Sequence, residues 1–143
     1  MRYIYVDDIA VADIAFRAWG DTLEDVFRAS AEATVHAMVE NHEVITPLYQ
    51  RSIELHHTSL DLLLLLFLQE FLYYKDAEQL FLRVQEMSIR QGENGFTLKG
   101  RVAGERIDPD KHELEADVKG VTLHQLQVKQ TAEGWEATVV LDV

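Results

Sequence analysis

The chain has 143 residues, no cysteine and a formal net charge of −12. That length predicts one domain, residues 1–143, which can bury roughly two thirds of its unfolded surface around a single core. The lack of cysteine excludes thiol nucleophiles, iron–sulfur clusters, cysteine zinc sites and a disulfide scaffold. Because proteins that bind nucleic acids neutralise phosphates with clustered Lys and Arg, the acidic charge predicts cations or a basic protein surface as partners, and no direct nucleic-acid binding.

The sequence predicts a cytoplasmic protein that has no membrane span. Residues 1–8 lack the apolar core of a signal peptide. The most apolar run, residues 62–68, lies between Asp61 and the pair Gln69 and Glu70. It is therefore much shorter than the ~20 apolar residues that cross a bilayer.

Two short runs rich in aromatic and β-branched residues, 3–6 and 14–19, flank an acidic segment, residues 7–13. They predict two strands joined by an acidic loop. After Gly20, Asp21 and Glu24 have the spacing of a capping box, which predicts the start of a helix. Apolar residues at helical spacing then continue as far as Met38.

The middle of the chain predicts a strand followed by a buried helix. Pro47 makes continuation of the first helix unfavourable, and residues 49–56 have the composition of a strand. Thr58 or Ser59 can cap a second helix over about residues 60–74. Its leucine run has so small a polar face that we expect the helix to be mostly buried and central.

The C-terminal half predicts two hairpins. Residues 80–91 and 96–107 are strand-like runs joined by a Gly-Glu-Asn-Gly turn, and residues 121–130 and 135–141 repeat the arrangement. The predicted fold class is α+β: a single domain with a mostly antiparallel sheet, covered by two helices and ending in C-terminal β-hairpins.

Carboxylates near both ends of the chain are the main candidates for a functional site. Asp7 and Asp13 bound the acidic segment, and Asp142 and Val143 end the sequence. If the two ends meet, the side chains and the terminal carboxylate of Val143 form an oxygen-only cluster. Such a cluster suits a hard divalent cation: Ca²⁺, which takes 6–8 oxygens, or Mg²⁺ or Mn²⁺. The alternative is an acidic turn and a solvated terminus.

Other chemistries have little support in the sequence. The six histidines form no HExxH pair, no serine stands in a Gly-x-Ser-x-Gly elbow, and no glycine-rich loop has a phosphate-binding pattern. Lys119 lies where a loop is expected to become a strand. It is either a contact for a partner or an ordinary surface residue.

Five segments stand in a characteristic order along the chain: AWGDTLE at 18–24, QEFLY at 69–73, KHEL at 111–114, DVKGVT at 117–122 and VVLDV at 139–143. Together they resemble the archease family, small acidic proteins that assist the RtcB-type tRNA-splicing ligase. The resemblance implies a protein that is not itself an enzyme. It would promote guanylylation and multiple turnover of the RNA ligase and carry a divalent cation, generally calcium.

The same resemblance implies roles for individual residues. Asp13, Asp142 and Val143 would be metal ligands, with Asp7 as the additional carboxylate, and Lys119 would contact the ligase. Many members of the family read Asp-His-Thr-Ala-Asp at the first site. This chain is two residues longer between Asp7 and Asp13, so the choice between Asp7 and Asp8 stays open.

Two other functions are compatible with the residues. One is an acidic, chaperone-like binding module that protects or modulates client proteins. The other is a hydrolase that uses the same carboxylates to hold a metal ion, since divalent ions can activate water.

Overall fold

The computed structural model describes residues 2–7 and 13–143. These residues form two long helices, one short 3₁₀ turn and eight strands. In chain order the elements are β1 (Tyr3–Tyr5), β2 (Ile14–Gly20), α1 (Leu23–Met38), the 3₁₀ turn (His42–Val44), β3 (Tyr49–His57), α2 (Leu60–Glu78), β4 (Leu80–Gly92), β5 (Gly95–Arg106), β6 (Gly120–Val121), β7 (Gln127–Thr131) and β8 (Gly134–Asp142).

The strands form two sheets. The larger one has the order β1-β2-β8-β6, with β7 also paired to β8, and the smaller one has the order β3-β5-β4. Every pairing between these strands is antiparallel. The predicted α+β class with two helices is confirmed, but the one expected sheet is two, because β4 and β5 pair with β3 and not with the C-terminal strands.

The predicted start of α1 is wrong by one residue. Thr22, not Asp21, is the N-cap: its hydroxyl accepts the N–H of Asp25, and the Asp25 carboxylate accepts the N–H of Thr22. Glu24 instead accepts the backbone N–H of Ile89 at 3.1 Å, so it joins α1 to β4. Both spacings satisfy the capping-box pattern, and packing against β4 decides between them.

Helix α2 extends four residues beyond its predicted end. Ser59 caps it by accepting the N–H of Leu62, and Gln79 ends it in the left-handed conformation at φ 58°. The apolar face is buried as predicted. Three of the four helical residues after Tyr74 are charged, so the apolar stripe that marks the helix in the sequence stops before the helix does.

The first predicted hairpin is confirmed, with Gly95 at φ +116° in its turn. In the second, residues 121–130 are not one strand. Between the pairs Val121↔Leu141 and Gln127↔Thr138, the five residues 122–126 stand opposite only the two residues 139–140. The surplus residues form a turn that separates β6 from β7, a change of register that their β-like composition does not reveal.

Both helices contact strands of both sheets, so the core lies between the two sheets and includes both helices. Helix α1 fits this space with small side chains: Ala29, Ala33, Ser30 and Thr34 are fully buried. The two hydroxyls donate to carbonyls one turn earlier, at 2.8 and 2.9 Å. Among the described residues, no helix has the length and hydropathy to cross a membrane.

Candidate functional site at the ends of β2 and β8

The pairing of β2 with β8 brings two of the predicted site residues to the same place. Ile14 pairs with Leu141 at the last rung of this ladder. Asp13 precedes Ile14 and Asp142 follows Leu141, so the antiparallel register sets the two aspartates opposite each other, one step beyond that rung. Asp13 is half-buried and Asp142 is exposed. The sequence left open whether the two acidic ends meet, and the register of β2 against β8 brings the backbone of Asp13 and of Asp142 to the same strand end.

A cavity of about 570 Å³ lies beside these strand ends, and both Asp7 and Asp13 line it. Tyr5 and His36 contribute aromatic surface, and Glu40 contributes a further carboxylate. The Tyr5 hydroxyl donates to the carbonyl of Ala33 at 2.8 Å, and burial raises the pKa of this tyrosine. Tyr5 therefore stays neutral, and the negative charge of the cavity comes from its carboxylates.

Hydrogen bonds and ring contacts hold the aromatic wall of this cavity to α1. His36 Nδ1 lies 2.8 Å from the Tyr3 hydroxyl, and His36 Nε2 lies 3.3 Å from the Glu40 carboxylate. The His42 ring lies 4.5 Å from that of His36. Burial, and then the neighbouring His36, lower the pKa of His42. His42 is therefore neutral near pH 7.

Lys119 lies next to the same strand end. Its backbone N–H donates to the carbonyl of Asp142 at 2.8 Å, and Gly120 pairs with Asp142 in the sheet. The Lys119 side chain is exposed and forms no ion pair with any residue that the structure describes. Val143 packs against the core. The structure thus brings Asp13, Asp142, Val143 and Lys119 to one end of the larger sheet.

The donor set at this end consists of carboxylate and carbonyl oxygens, which suits Ca²⁺ or Mg²⁺ better than the nitrogen and sulfur ligands that zinc favours. Within residues 2–7 and 13–143, no three acidic or histidine side chains are grouped to hold a metal ion. Asp7 lines the cavity together with Asp13, whereas Asp8 lies outside the described residues. The residues at this strand end therefore fit a hard divalent cation in the type of ligand atom that they offer. Asp13 and Asp142 are the two candidate ligands next to each other.

The segment between β5 and β6, residues 107–119, leads directly to Lys119, and we call it the connecting segment. It runs along the end of α1, where the N–H groups of Glu115 and Ala116 donate to the carbonyls of Met38 and Ala37, at 2.8 and 3.1 Å. A buried charged group fixes it near each of its ends. The sequence patterns alone indicate a role for neither group.

We call the contact nearer the candidate site the lysine anchor; it consists of Lys75, Asp117 and Val118. The ammonium group of Lys75 donates to the Asp117 carboxylate at 2.7 Å and to the Val118 carbonyl at 2.8 Å. This ion pair lowers the pKa of Asp117. A signal for Lys75 did exist in the sequence: it follows Phe71 and Leu72 at helical spacing, on the otherwise apolar face of α2.

We call the other contact the histidine anchor; it consists of Glu105, Lys111 and His112. The fully buried His112 lies with Nε2 2.9 Å from Glu105, and its Nδ1 accepts the N–H of Asp108 at 2.9 Å. Glu105 also accepts from Lys111 and from the N–H of Thr46. Burial alone would raise the pKa of Glu105, but these hydrogen bonds outweigh it and lower that pKa.

Comparison with known proteins assigns the chain to a family. The model of the Archease protein family matches residues 3–143. The protein archease of Methanosarcina mazei is 34% identical over 143 residues, covering 99% of this chain and 96% of the relative. That of Pyrococcus abyssi is 37% identical over 133 residues, covering 92% and 93%.

Solved structures agree with this comparison. The solution structure of Methanobacterium thermoautotrophicum protein 1598 superposes with a TM-score of 0.84 at 29% identity, covering 99% of this chain and 98% of that one. The Thermotoga maritima archease, described as a possible chaperone, has the same fold, with a TM-score of 0.65 at 16% identity over 94% and 93% of the two chains. From the family match along nearly its whole length, we conclude that the chain belongs to the archease family.

Proposed function

We propose that this protein is an accessory protein of an RtcB-type tRNA-splicing RNA ligase. It promotes guanylylation of the ligase and its repeated turnover, and it performs no catalytic reaction itself. Asp13 and Asp142, together with the carboxylate of Val143 and with Asp7, bind a divalent cation, most favourably Ca²⁺, at the end of the larger sheet. Lys119, beside them, contacts the ligase.

One observation supports this proposal above the others: the register of β2 against β8 aligns Asp13 with Asp142, and Lys119 is hydrogen-bonded to Asp142. Two carboxylates that would repel each other, and one lysine without an ion pair among the described residues, thus share one strand end. A cation between the carboxylates would offset their repulsion. It would also give a basic partner a defined surface on which to dock.

The net charge supports an interaction with the ligase and not with its RNA substrate. At a net charge of −12 the protein repels a polyanion such as tRNA. A ligase that binds RNA needs a basic surface, to which an acidic protein is electrostatically complementary. To act as an activator, the protein must bind the conformation that attacks GTP more tightly than the resting one.

The direct test is transfer of labelled GMP from GTP to the cognate ligase, with wild type, Asp142→Asn or Asp21→Asn added at increasing concentration. Asp21 is a matched control, because it is an exposed aspartate beyond the opposite end of β2. We expect stimulation by the wild type and Asp21→Asn that Asp142→Asn loses. Full stimulation by Asp142→Asn at saturation would contradict a role for the acidic strand end.

The cation is tested separately by calorimetric titration of the same three proteins with Ca²⁺ and with Mg²⁺, after treatment with a chelator. We expect wild type and Asp21→Asn to bind Ca²⁺ and Asp142→Asn to bind it much more weakly. Equal binding by all three proteins would assign the cation to another site and remove Asp142 from the ligand set.

A chaperone-like module is the second candidate, favoured by the description of the Thermotoga maritima relative as a possible chaperone. A general chaperone would suppress aggregation of unrelated proteins through its acidic surface, and Asp142→Asn would suppress it as well as the wild type. Suppression of this kind without stimulation of the ligase would favour this candidate over the first.

A further inference from the structure

Lys75 is the one buried lysine or arginine among the residues that the structure describes. Its side chain is 8% exposed, and it lies in the last turn of α2, where the backbone carbonyls favour a positive charge. Removing an ammonium group from water is costly unless it is paired and hydrogen-bonded. The contacts of Lys75 must therefore compensate for this cost.

Those contacts are two hydrogen bonds and a further ion pair of the ammonium group. It has three N–H donors and no acceptor. It donates hydrogen bonds to the Asp117 carboxylate at 2.7 Å and to the Val118 carbonyl at 2.8 Å, and it lies 3.0 Å from the Asp76 carboxylate in an ion pair. Because the side chain is buried among these partners, any functional effect of Lys75 passes through the residues that it binds.

The peptide unit between Val118 and Lys119 joins Lys75 to the candidate site. The carbonyl of this unit accepts from Lys75, and its N–H donates to the carbonyl of Asp142 at 2.8 Å. Because a peptide unit is planar, fixing its carbonyl also fixes the direction of its N–H. The Val118 side chain is fully buried and holds the segment in place, whereas Lys75 sets the orientation of this peptide.

We propose that Lys75 is a positioning residue of the candidate site. By binding the Val118 carbonyl and Asp117, it orients the peptide that holds Lys119 against the end of β8 and so presents Lys119 and Asp142 together to the ligase. This role rests on the proposed function. Lys75 itself contacts neither the cation nor the partner.

The test compares Lys75→Met, which keeps the length of the side chain but loses the charge, with Lys99→Met. Lys99 is a matched control, because its side chain is 68% exposed and pairs with Glu54 on the smaller sheet, away from the site. We expect Lys75→Met to raise about tenfold the concentration of this protein that gives half-maximal stimulation of ligase guanylylation. Loss of residues that orient the ligands of a metal site by hydrogen bonds has effects of this size. Lys99→Met should behave as the wild type.

Amide hydrogen exchange separates positioning from general stability. In Lys75→Met we expect faster exchange at the Lys119 amide and unchanged exchange at the Glu115 amide, which is bonded to Met38 on the same segment. Equal acceleration at both amides would mean that Lys75 only stabilises the fold, and would overturn the proposal. If Lys75→Met does not fold, the same comparison of hydrogen exchange at the Lys119 and Glu115 amides is made in Lys75→Gln, which keeps N–H donors.

The outcomes also distinguish the two proposals. If the wild type stimulates the ligase and Lys75→Met stimulates it equally well, the role of Lys75 is wrong and the proposed function stands. If the wild type itself does not stimulate, the proposed function fails, and the presentation of Lys119 to a ligase fails with it.

Discussion

The two ends of the connecting segment are both fixed by buried charges, but the charges are arranged in opposite ways. At the histidine anchor, acid and imidazole are both buried: the side chains of Glu105 and His112 are 10% and 0% exposed. At the lysine anchor only the base is buried, since Lys75 is 8% exposed and its partner Asp117 is 79% exposed. The first contact lies inside the protein, and the second lies partly at its surface.

This difference predicts different roles. Loss of one member of a buried pair leaves its partners without hydrogen bonds in a place that water does not reach, which destabilises the fold. At the lysine anchor, loss of Lys75 leaves the exposed Asp117, which water can solvate, and loss of Asp117 leaves Lys75 in contact with Asp76 and the Val118 carbonyl. The fold therefore survives either loss, and the local orientation changes. The histidine anchor therefore acts mainly on stability, and the lysine anchor mainly on the geometry of the candidate site.

The largest effect is expected from Gly104→Ala, beside the histidine anchor. A Cβ at Gly104 would lie 1.7 Å from the backbone oxygen of Phe81, so β4 and β5 would have to separate. We expect a loss of more than about 4 kcal/mol in the free energy of unfolding, measured by urea denaturation. Gly120→Ala, beside the lysine anchor, meets nothing within 4 Å and should be nearly neutral. Equal losses would contradict the contrast between the two ends.

Glu105→Ala should have the next largest effect. It removes the acceptor shared by His112, Lys111 and the Thr46 N–H. We expect a loss of about 3 kcal/mol in the free energy of unfolding at pH 7. The control is Glu86→Ala, whose exposed pair with Arg101 should contribute less than about 1 kcal/mol. A neutral Glu105→Ala would show that the histidine anchor does not stabilise the fold.

The pH dependence of the free energy of unfolding should also show the contribution of Glu105. The folded pKa of Glu105 is lowered, so its contribution is complete above the unfolded value, about 4.3, and is lost as the pH falls through the folded value. At pH values below about 4, we expect the urea concentration at the midpoint of unfolding to decrease in the wild type as the pH is lowered. In Glu105→Gln it should decrease less steeply. Parallel pH profiles would exclude Glu105 as a source of the acid sensitivity.

The smallest effect on stability is expected from Asp117→Asn. Asp117 is exposed, and Lys75 keeps its ion pair with Asp76 and its hydrogen bond to the Val118 carbonyl. The change in the free energy of unfolding should stay below about 1 kcal/mol in the same urea experiment. A loss as large as that of Glu105→Ala would mean that both anchors act on stability alike.

Local patterns in the sequence predicted most of the elements, but not their exact ends. Helix α1 was predicted one capping residue too early, because Asp21 and Thr22 both offer a capping oxygen with an acid three residues later. The sequence does not indicate the break between β6 and β7, because residues 122–126 have the composition of a strand and only the pairing with β8 separates them from it. The sequence indicates Asp7, Asp13, Asp142 and Lys119 as candidates, but it does not show which residues Lys75 and His112 contact.

The sequence by itself determined the acidic charge, the α+β class, both helices and the family, because these depend on composition, periodicity and the order of short motifs. Only the tertiary structure decided that the strands form two sheets, that Asp13 stands opposite Asp142, and that Lys75 and His112 hold the connecting segment. Such facts depend on register and on contacts between residues far apart in the chain. Local sequence does not encode them, because the free energy of a pairing depends on both partners and on what buries them.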